Sequence, residues 1–271
     1  MRPKLSILIP SYNMAGKIDR CLAGLYGFPL LEWNFEVVVF DSSDDNSMAK
    51  LLEHAKKHDN LTILHSDRKT SIGVARNLAF RESKGEYVFC LDIDDRFIGD
   101  ALERMISKLD GKDLYFCPYV SKKDGVCCRF SKIESAPVAA WTKVYKREFY
   151  VDFPDYMPED VVAHYLLLDK VNSVAALDFP VVEYDNTPEN KGAVSRTFDY
   201  LKDTPSNLMS LAVNDTLKSL NLNDEYVAGV VHNLADLYAV RNRIKKPEVK
   251  AALMKRLGQS YLKFMSGIYT H

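Results

Sequence analysis

The chain of 271 residues has no apolar run approaching the 18 or more residues needed to span a bilayer, so it reads as soluble or at most peripheral to a membrane. It opens MRPKLSILIP, without an apolar signal core ending in small residues, and is expected to be cytoplasmic, with contact to the inner face of a membrane left open. Cysteine is scarce: Cys21, Cys90, Cys117, Cys127 and Cys128 are odd in number, and no second Cys or His pair stands at ligand distance from Cys127-Cys128. That excludes a disulfide framework and a zinc ribbon. Neither sign of charge is in excess, with 36 Lys and Arg against 37 Asp and Glu, which removes any global case for a nucleic-acid binder. A glycine-rich phosphate loop is also missing, which argues against a dinucleotide-binding enzyme and against nucleotidyl transfer. There is no internal repeat and no low-complexity tract.

What is present is 47% apolar and 27% charged, enough for one large α/β domain carrying a helical appendage. KLSILI (4–9) is an apolar run that stops at Pro10-Ser11-Tyr12-Asn13, and helical spacing follows over Lys17 to Leu25. The pattern recurs: FEVVVF (35–40) ends on Asp41-Ser42-Ser43, a helix is expected from about Met48 to Lys57, and LTILH (61–65) is another strand. Gly73 to Glu82 reads as a helix leading into a strand at Tyr87 to Leu91. Continuous apolar strands separated by helices argue for a mostly parallel sheet covered on both faces. Ligands then bind beyond the carboxyl ends of the strands, where the polar clusters fall. Leu114 to Val120 and Val126 to Ile133 look like strands joined by a hairpin-type turn at Asp124-Gly125. Pro158-Glu159-Asp160 leads into an apolar helix over Val161 to Leu168, and from Thr204 onward helices are expected at about 206–220, 224–241 and 247–266.

The strand at Tyr87 to Leu91 ends on Asp92, Asp94 and Asp95. Three acids at one strand end repel each other unless a counter-charge joins them, and a divalent cation is the simplest one. Hard oxygen ligands suit Mg²⁺ or Mn²⁺ held by one or two carboxylates together with substrate phosphates. A solvated acidic turn is the plain alternative, and the position at the rim of a parallel sheet weighs against it.

Several concurrent stretches resemble family 2 glycosyltransferases of the GT-A fold: LSILIPSYN (5–13), EVVVFDSSDDNS (36–47), GVARNLAFRESKGEYVFCLDIDD (73–95), AWTKVYKREF (140–149) and PEDVVAHYLLL (158–168). The resemblance covers about residues 4–200 and implies a Rossmann-like mixed α/β sheet, 1–203; the C-terminal helical extension, 204–271, lies outside it and is read from the apolar spacing alone. The resemblance implies an inverting, metal-dependent transfer from a UDP-sugar, with Mn²⁺ or Mg²⁺ on the Asp-x-Asp segment through Asp94 and Asp92. Asp92 would also lie near the ribose and Asp95 would support the pair or touch the sugar. Pro10, Ser11, Tyr12 and Asp41 match the stretch that holds uracil, and Arg76 and Asn77 match the segment beside base and diphosphate. Trp141 and Lys143 would line the donor or acceptor pocket, and Arg196 would reach the diphosphate. Glu159 and Asp160 match the family's Glu-Asp pair, with Asp160 the general base for the acceptor hydroxyl. The chain departs from the pattern at Phe40-Asp41-Ser42-Ser43, where the family carries two acids, Gly and Ser; this bears on the base contact.

Residues 241–271 carry eight Lys and Arg against Glu248 alone, which suits an anionic acceptor, either a lipid-linked glycan at a membrane surface or a nucleic acid, or else a solvated face. The apolar spacings there also suit packing on the catalytic domain or a homodimer. Three functions are therefore weighed. The first is a UDP-sugar transferase building a surface glycan, lipopolysaccharide or polysaccharide. The second is the same chemistry on a hydroxymethylated DNA base, and the third a non-catalytic nucleotide-sugar-binding protein or nucleotidyltransferase.

Overall fold

β1 (Leu5–Ser11), β2 (Phe35–Asp41), β3 (Leu61–His65) and β4 (Tyr87–Cys90) are the runs the apolar pattern marks, and they pair in parallel. The computed structural model describes residues 2–27, 34–130, 132, 135–155, 159–190, 240, 243–256 and 258. Within them β6 (Leu114–Phe116), β9 (Lys143–Lys146) and β10 (Val174–Ala176) complete a seven-stranded sheet of order β10-β6-β9-β4-β1-β2-β3. Only β9 runs antiparallel to its neighbours, so the sheet is mixed and mostly parallel, as the sequence implies.

Side chains alternate between two cores. Leu5, Ile7 and Ile9 of β1, with Val37, Val39, Tyr87 and Phe89, face α1 (Ile18–Tyr26), α2 (Ser47–Ala55) and α4 (Ala101–Lys108). Leu8, Val38, Phe40, Val88 and Cys90 face the other way, onto α3 (Ile72–Glu82) and α5 (Glu159–Lys170). Burial on both faces is why these strands read as unbroken apolar runs rather than alternating ones.

The expectation of one strand from Leu114 to Val120 is corrected. Pro118 has no N–H to give a ladder, and the chain leaves the large sheet there: β6 stays in it, while β7 (Tyr119–Ser121) joins a second sheet of order β5-β11-β7-β8. That sheet also holds β5 (Arg96–Phe97), β8 (Cys127–Cys128) and β11 (Val182–Tyr184). The strand expected over Val126 to Ile133 is reduced to β8, which pairs with β7 across the Asp124-Gly125 turn, where Gly125 has φ 71°. The helix expected from Val161 begins two residues earlier, so Glu159 and Asp160 lie inside its first turn.

The segment 247–256 is helical, as expected. Val240, Ile244, Val249, Ala252 and Leu253 enter the same core as α3 and α5, and Asp169 near the end of α5 accepts from the N–H groups of Lys245 and Lys246 at 2.9 and 2.7 Å. The helices expected at 206–220 and most of 224–241, the end of 247–266, and Arg196 lie outside the described residues. No helix among the described residues is long and apolar enough to cross a membrane.

Candidate active site

The carboxyl ends of β1, β2 and β4 deliver Ser11, Asp41 and the Asp92–Asp95 turn to one rim. The turn itself is tight: Asp95 N–H donates to Asp92 O at 3.0 Å, which folds the three acids onto one another. One carboxylate oxygen from each of Asp92, Asp94 and Asp95 lies within 4.8 Å of the others. Asp92 and Asp94 are half-buried, Asp95 is 1% exposed, and its Oδ2 is buried without a hydrogen-bond partner. Burial, and then the charge of its neighbours, pushes the Asp95 carboxyl well above the ordinary aspartate range, and Asp94 shifts the same way. A buried, partnerless oxygen among crowded carboxylates is the environment that a hard divalent cation relieves, so these residues fit Mg²⁺ or Mn²⁺.

Arg76, on α3, is the counter-charge the protein itself supplies. Its Nη2 donates to Asp92 Oδ1 at 2.8 Å and its Nη1 to Glu159 Oε1 at 2.5 Å, and its side chain is 3% exposed. Burial opposes the guanidinium charge, but Asp92 and Glu159 outweigh it and keep Arg76 protonated. One side chain therefore joins the acid cluster to the first turn of α5. Ser71 caps α3 by accepting from Val74 N–H, and Gly73 sits so close to the Pro154 carbonyl that a Cβ there would lie 2.2 Å from its oxygen. α3 thus packs against the 153–155 segment that precedes Glu159.

Glu159 and Asp160 are successive on a helix and point about 100° apart. Glu159 turns to Arg76, while Asp160 lines a small cavity with Lys143, Tyr145, Phe153 and His164. Burial raises the Asp160 carboxyl, and Arg76 and Lys143 pull against it. Burial likewise lowers the Lys143 ammonium to about 7. His164, one turn beyond Asp160, does face the same cavity; burial holds its imidazole well below the usual histidine range, and its Nδ1 has no hydrogen-bond partner.

Several expected contact residues are committed to the protein. Lys143 Nζ donates to the carbonyls of Pro137 and Ala139 at 2.8 Å and to Thr142 Oγ1 at 2.8 Å, so its ammonium ties down the 137–142 segment while its stem lines the cavity. Trp141 is 6% exposed and packs edge-on to Tyr119, with ring centroids 4.8 Å apart, inside the core. Asn77 donates to Phe153 O at 2.8 Å and accepts from Tyr150 Oη and Phe153 N–H, both at 2.9 Å, which commits its amide to anchoring the 150–153 segment. Asp41 has no exposed side-chain surface and accepts from Ser43 Oγ at 2.7 Å, Ser43 N–H at 3.3 Å and His65 Nδ1 at 3.2 Å. A ligand would meet that carboxylate only after Ser43 or His65 shifts. Pro10 is buried and the Ser11 hydroxyl is buried without a partner; Tyr12 is half-exposed with Lys69 Nζ 4.9 Å from its ring centroid.

Sequence reasoning missed His65, although it ends β3 on the same rim as Ser11 and Asp41, a position that strand logic marks. It also missed the segment after β11, Asp185 to Asn190, which touches the acid cluster from behind: Asp185 N–H donates to Asp95 Oδ1 at 2.8 Å and Asn190 Nδ2 to Asp94 Oδ2 at 2.7 Å. The signal was again an apolar strand running into an acid, but β11 is only three residues long.

Comparison with known proteins places this acid-rich sheet rim among the glycosyltransferases. The sequence model of glycosyl transferase family 2 matches residues 6–151, more than half of the chain, and the chain belongs to that family of glycosyltransferases. The poly(ribitol-phosphate) β-glucosyltransferase of Bacillus spizizenii is 34% identical over 103 residues, 37% of this chain and 16% of that protein. The poly(ribitol-phosphate) β-N-acetylglucosaminyltransferase TarP of Staphylococcus aureus is 31% identical over 121 residues, 43% of this chain and 36% of that protein. The chain thus spans well under half the length of these relatives. Among solved structures, residues 1–349 of S. aureus TarS in complex with UDP superpose with a TM-score of 0.64 at 19% identity, covering 99% of this chain and 92% of that one. A Pyrobaculum calidifontis mannosyltransferase in complex with GDP-Man and Mn²⁺ gives 0.57 at 18% identity, covering 100% and 81%. At these identities the structural likeness shows the shared GT-A fold.

Proposed function

We propose that the chain is a metal-dependent, inverting transferase that moves a sugar from a UDP-sugar to a hydroxyl of a cell-surface glycan, with an anionic polymer such as poly(ribitol phosphate) the favoured acceptor. The observation that carries this reading is the Asp92–Arg76–Glu159 chain, which sets a cation-ready acid cluster next to Asp160 in a half-buried pocket. The names of the relatives support the surface-glycan class, and UDP and Mn²⁺ in the complexes of fold neighbours support the donor and ion.

In this reading Asp94 and Asp92 hold the ion, which when bound neutralises charge on the diphosphate leaving group. Asp92 also faces the ribose, and Asp95 stays inside as support. Tyr12 offers its ring to the base, Lys69 and the Asp41–His65 pair frame it, and Arg196 is assigned to the diphosphate on the family resemblance alone. Asp160 takes the proton of the acceptor hydroxyl as that oxygen attacks the anomeric carbon opposite the departing UDP. Glu159 orients Arg76 and lends no proton. Residues 1–203 form the catalytic part, and 204–271 meet the acceptor or a second copy of the chain.

The test is thermal unfolding with UDP, GDP, CDP and ADP, each with and without Mn²⁺. Saturation at ~100 times the dissociation constant adds about 2.7 kcal/mol, a rise of several degrees. A rise specific to UDP and enlarged by Mn²⁺, with the Mn²⁺-dependent part lost in Asp94→Ala, is expected. A nucleotide-independent melting temperature, or the same rise in Asp94→Ala, overturns the donor and metal assignments.

A further inference from the structure

Behind the acid cluster stands a second group of charges built on Asp185, the residue that follows β11. Its carboxylate is fully shielded from solvent and accepts from Lys122 Nζ at 2.8 Å, Lys17 Nζ at 3.0 Å and Thr187 Oγ1 at 2.6 Å, with Arg20 Nη1 3.8 Å away. The cations come from separate elements: Lys17 just before α1, Arg20 within it, and Lys122 just after β7. Burial alone would raise this carboxyl, but the hydrogen bonds from Lys122, Thr187 and Lys17 outweigh it, hold Asp185 far below the usual carboxylate range and fix the turn that runs to Asn190.

That turn sends two neutral donors into the acid cluster. The Asp185 N–H meets Asp95 Oδ1 at 2.8 Å, and Asn190 Nδ2 meets Asp94 Oδ2 at 2.7 Å while also donating to Asp185 O at 2.8 Å. Asn190 is 1% exposed. The type of donor is informative. A lysine or arginine at this place would orient Asp94 but also cancel its charge, and an acid would add to the repulsion. An amide N–H orients the carboxylate and leaves its charge in place. The nearby ammonium groups are meanwhile drawn onto Asp185, one step behind Asp94 and Asp95.

We propose that Asn190, held by the Asp185 turn, is a positioning residue for the metal site: it fixes the carboxylate of Asp94 for a divalent cation without neutralising it. This rests on the metal reading above. Residues that orient a metal ligand in this way typically change metal affinity by ~10–100-fold when removed.

The experiment measures the Mn²⁺ dissociation constant of the full chain at saturating UDP from the EPR signal of free Mn²⁺, for wild type, Asn190→Ala and Asn190→Asp. Melting temperature without metal and UDP affinity in EDTA are recorded beside it. In Asn190→Ala the Mn²⁺ dissociation constant is expected to rise by ~10–100-fold with the melting temperature within a few degrees of wild type and metal-free UDP binding unchanged. Asn190→Asp, of equal size but without the donor, is expected to weaken Mn²⁺ as well, and gives the readout if the alanine variant fails to fold. Mn²⁺ affinity within twofold of wild type, or tighter binding in Asn190→Asp, overturns the positioning role. A wild-type chain that holds no Mn²⁺ at any UDP concentration instead overturns the metal reading, and the role of Asn190 with it.

Discussion

Replacing Arg76 by methionine separates the two halves of the site, and the structure dictates how the cost varies with pH. Wild-type Glu159 is pushed up to about 7 by burial, against the pull of Arg76. Without the guanidinium, burial acts unopposed and the carboxyl titrates higher still. Below pH ~7 Glu159 is protonated in both proteins, so the variant loses the Asp92 pair and the contact of Arg76 with the Phe153 ring, whose centroid lies 5.1 Å away, together about 1–2 kcal/mol. Above pH ~7 wild-type Glu159 ionises beside Arg76 while the variant holds its proton. The gap then widens by about 1.36 kcal/mol per pH unit until the variant's own carboxyl ionises. At pH 9 the total reaches roughly 4 kcal/mol, which agrees with the ~3–5 kcal/mol cost of breaking a buried ion pair. Urea unfolding at pH 6 and pH 9 reads this directly, with an unchanged m-value as the check on two-state behaviour. Arg76→Met with Glu159→Gln is expected to recover most of the loss at pH 9. Equal losses at the two pH values would refute the reasoning.

Asp160→Asn is expected to bind UDP and Mn²⁺ like wild type and to lose transfer by ~10²–10⁴-fold. Because burial raises the Asp160 carboxyl, the acid limb of kcat/KM in the wild type should lie above the ordinary aspartate value of ~3.9, and a limb at or below that value rules out Asp160 as the base. Gly73→Ala drives a methyl group to 2.2 Å from Pro154 O and should destabilise the fold by ~1–3 kcal/mol; a wild-type melting curve would mean that the 153–155 segment is free to move. Lys143 is lowered to about 7 in the folded chain and stays near ~10.4 unfolded, so the unfolded state binds more protons between these values and stability gains with pH across that window. Lys143→Met should flatten this rise in ΔG between pH 7 and 9.5, and an unaltered slope would show that the ammonium is not buried as described.

Most of the large sheet is legible in the sequence because its central strands are buried on both faces and therefore unbroken in hydrophobicity: FEVVVF and LSILI need no partner to be recognised. The acid cluster and the Glu-Asp pair are legible because short-range spacing packs them together. What spacing cannot convey is the direction of a side chain. Trp141 and Lys143 sit in a stretch that resembles a pocket wall, yet the indole packs among aromatic rings and the ammonium is saturated by carbonyls four to six residues away. Asn77 follows Arg76 on α3, and one step of 100° turns it from the site to the 150–153 segment. Of the second sheet only the β7–β8 hairpin is legible, through its Asp124-Gly125 turn; β5 and β11 are two and three residues long, too short for periodicity to register. Asp185 and Asn190 escaped notice with β11.

The chain passes from the large sheet to the small one three times: from β4 to β5 through Asp92–Asp95, from β6 to β7 at Cys117-Pro118, and from β10 to β11 through Leu177–Val181. The acid cluster is thus also a mechanical seam. A length change at either of the other two crossings would shift the small sheet against the large one and strain the carboxylates directly. The β7–β8 turn at Asp124-Gly125 lies at the far end of the small sheet, where added residues project into solvent. Added residues are therefore expected to be tolerated at the outer turn of this chain and not at the crossings.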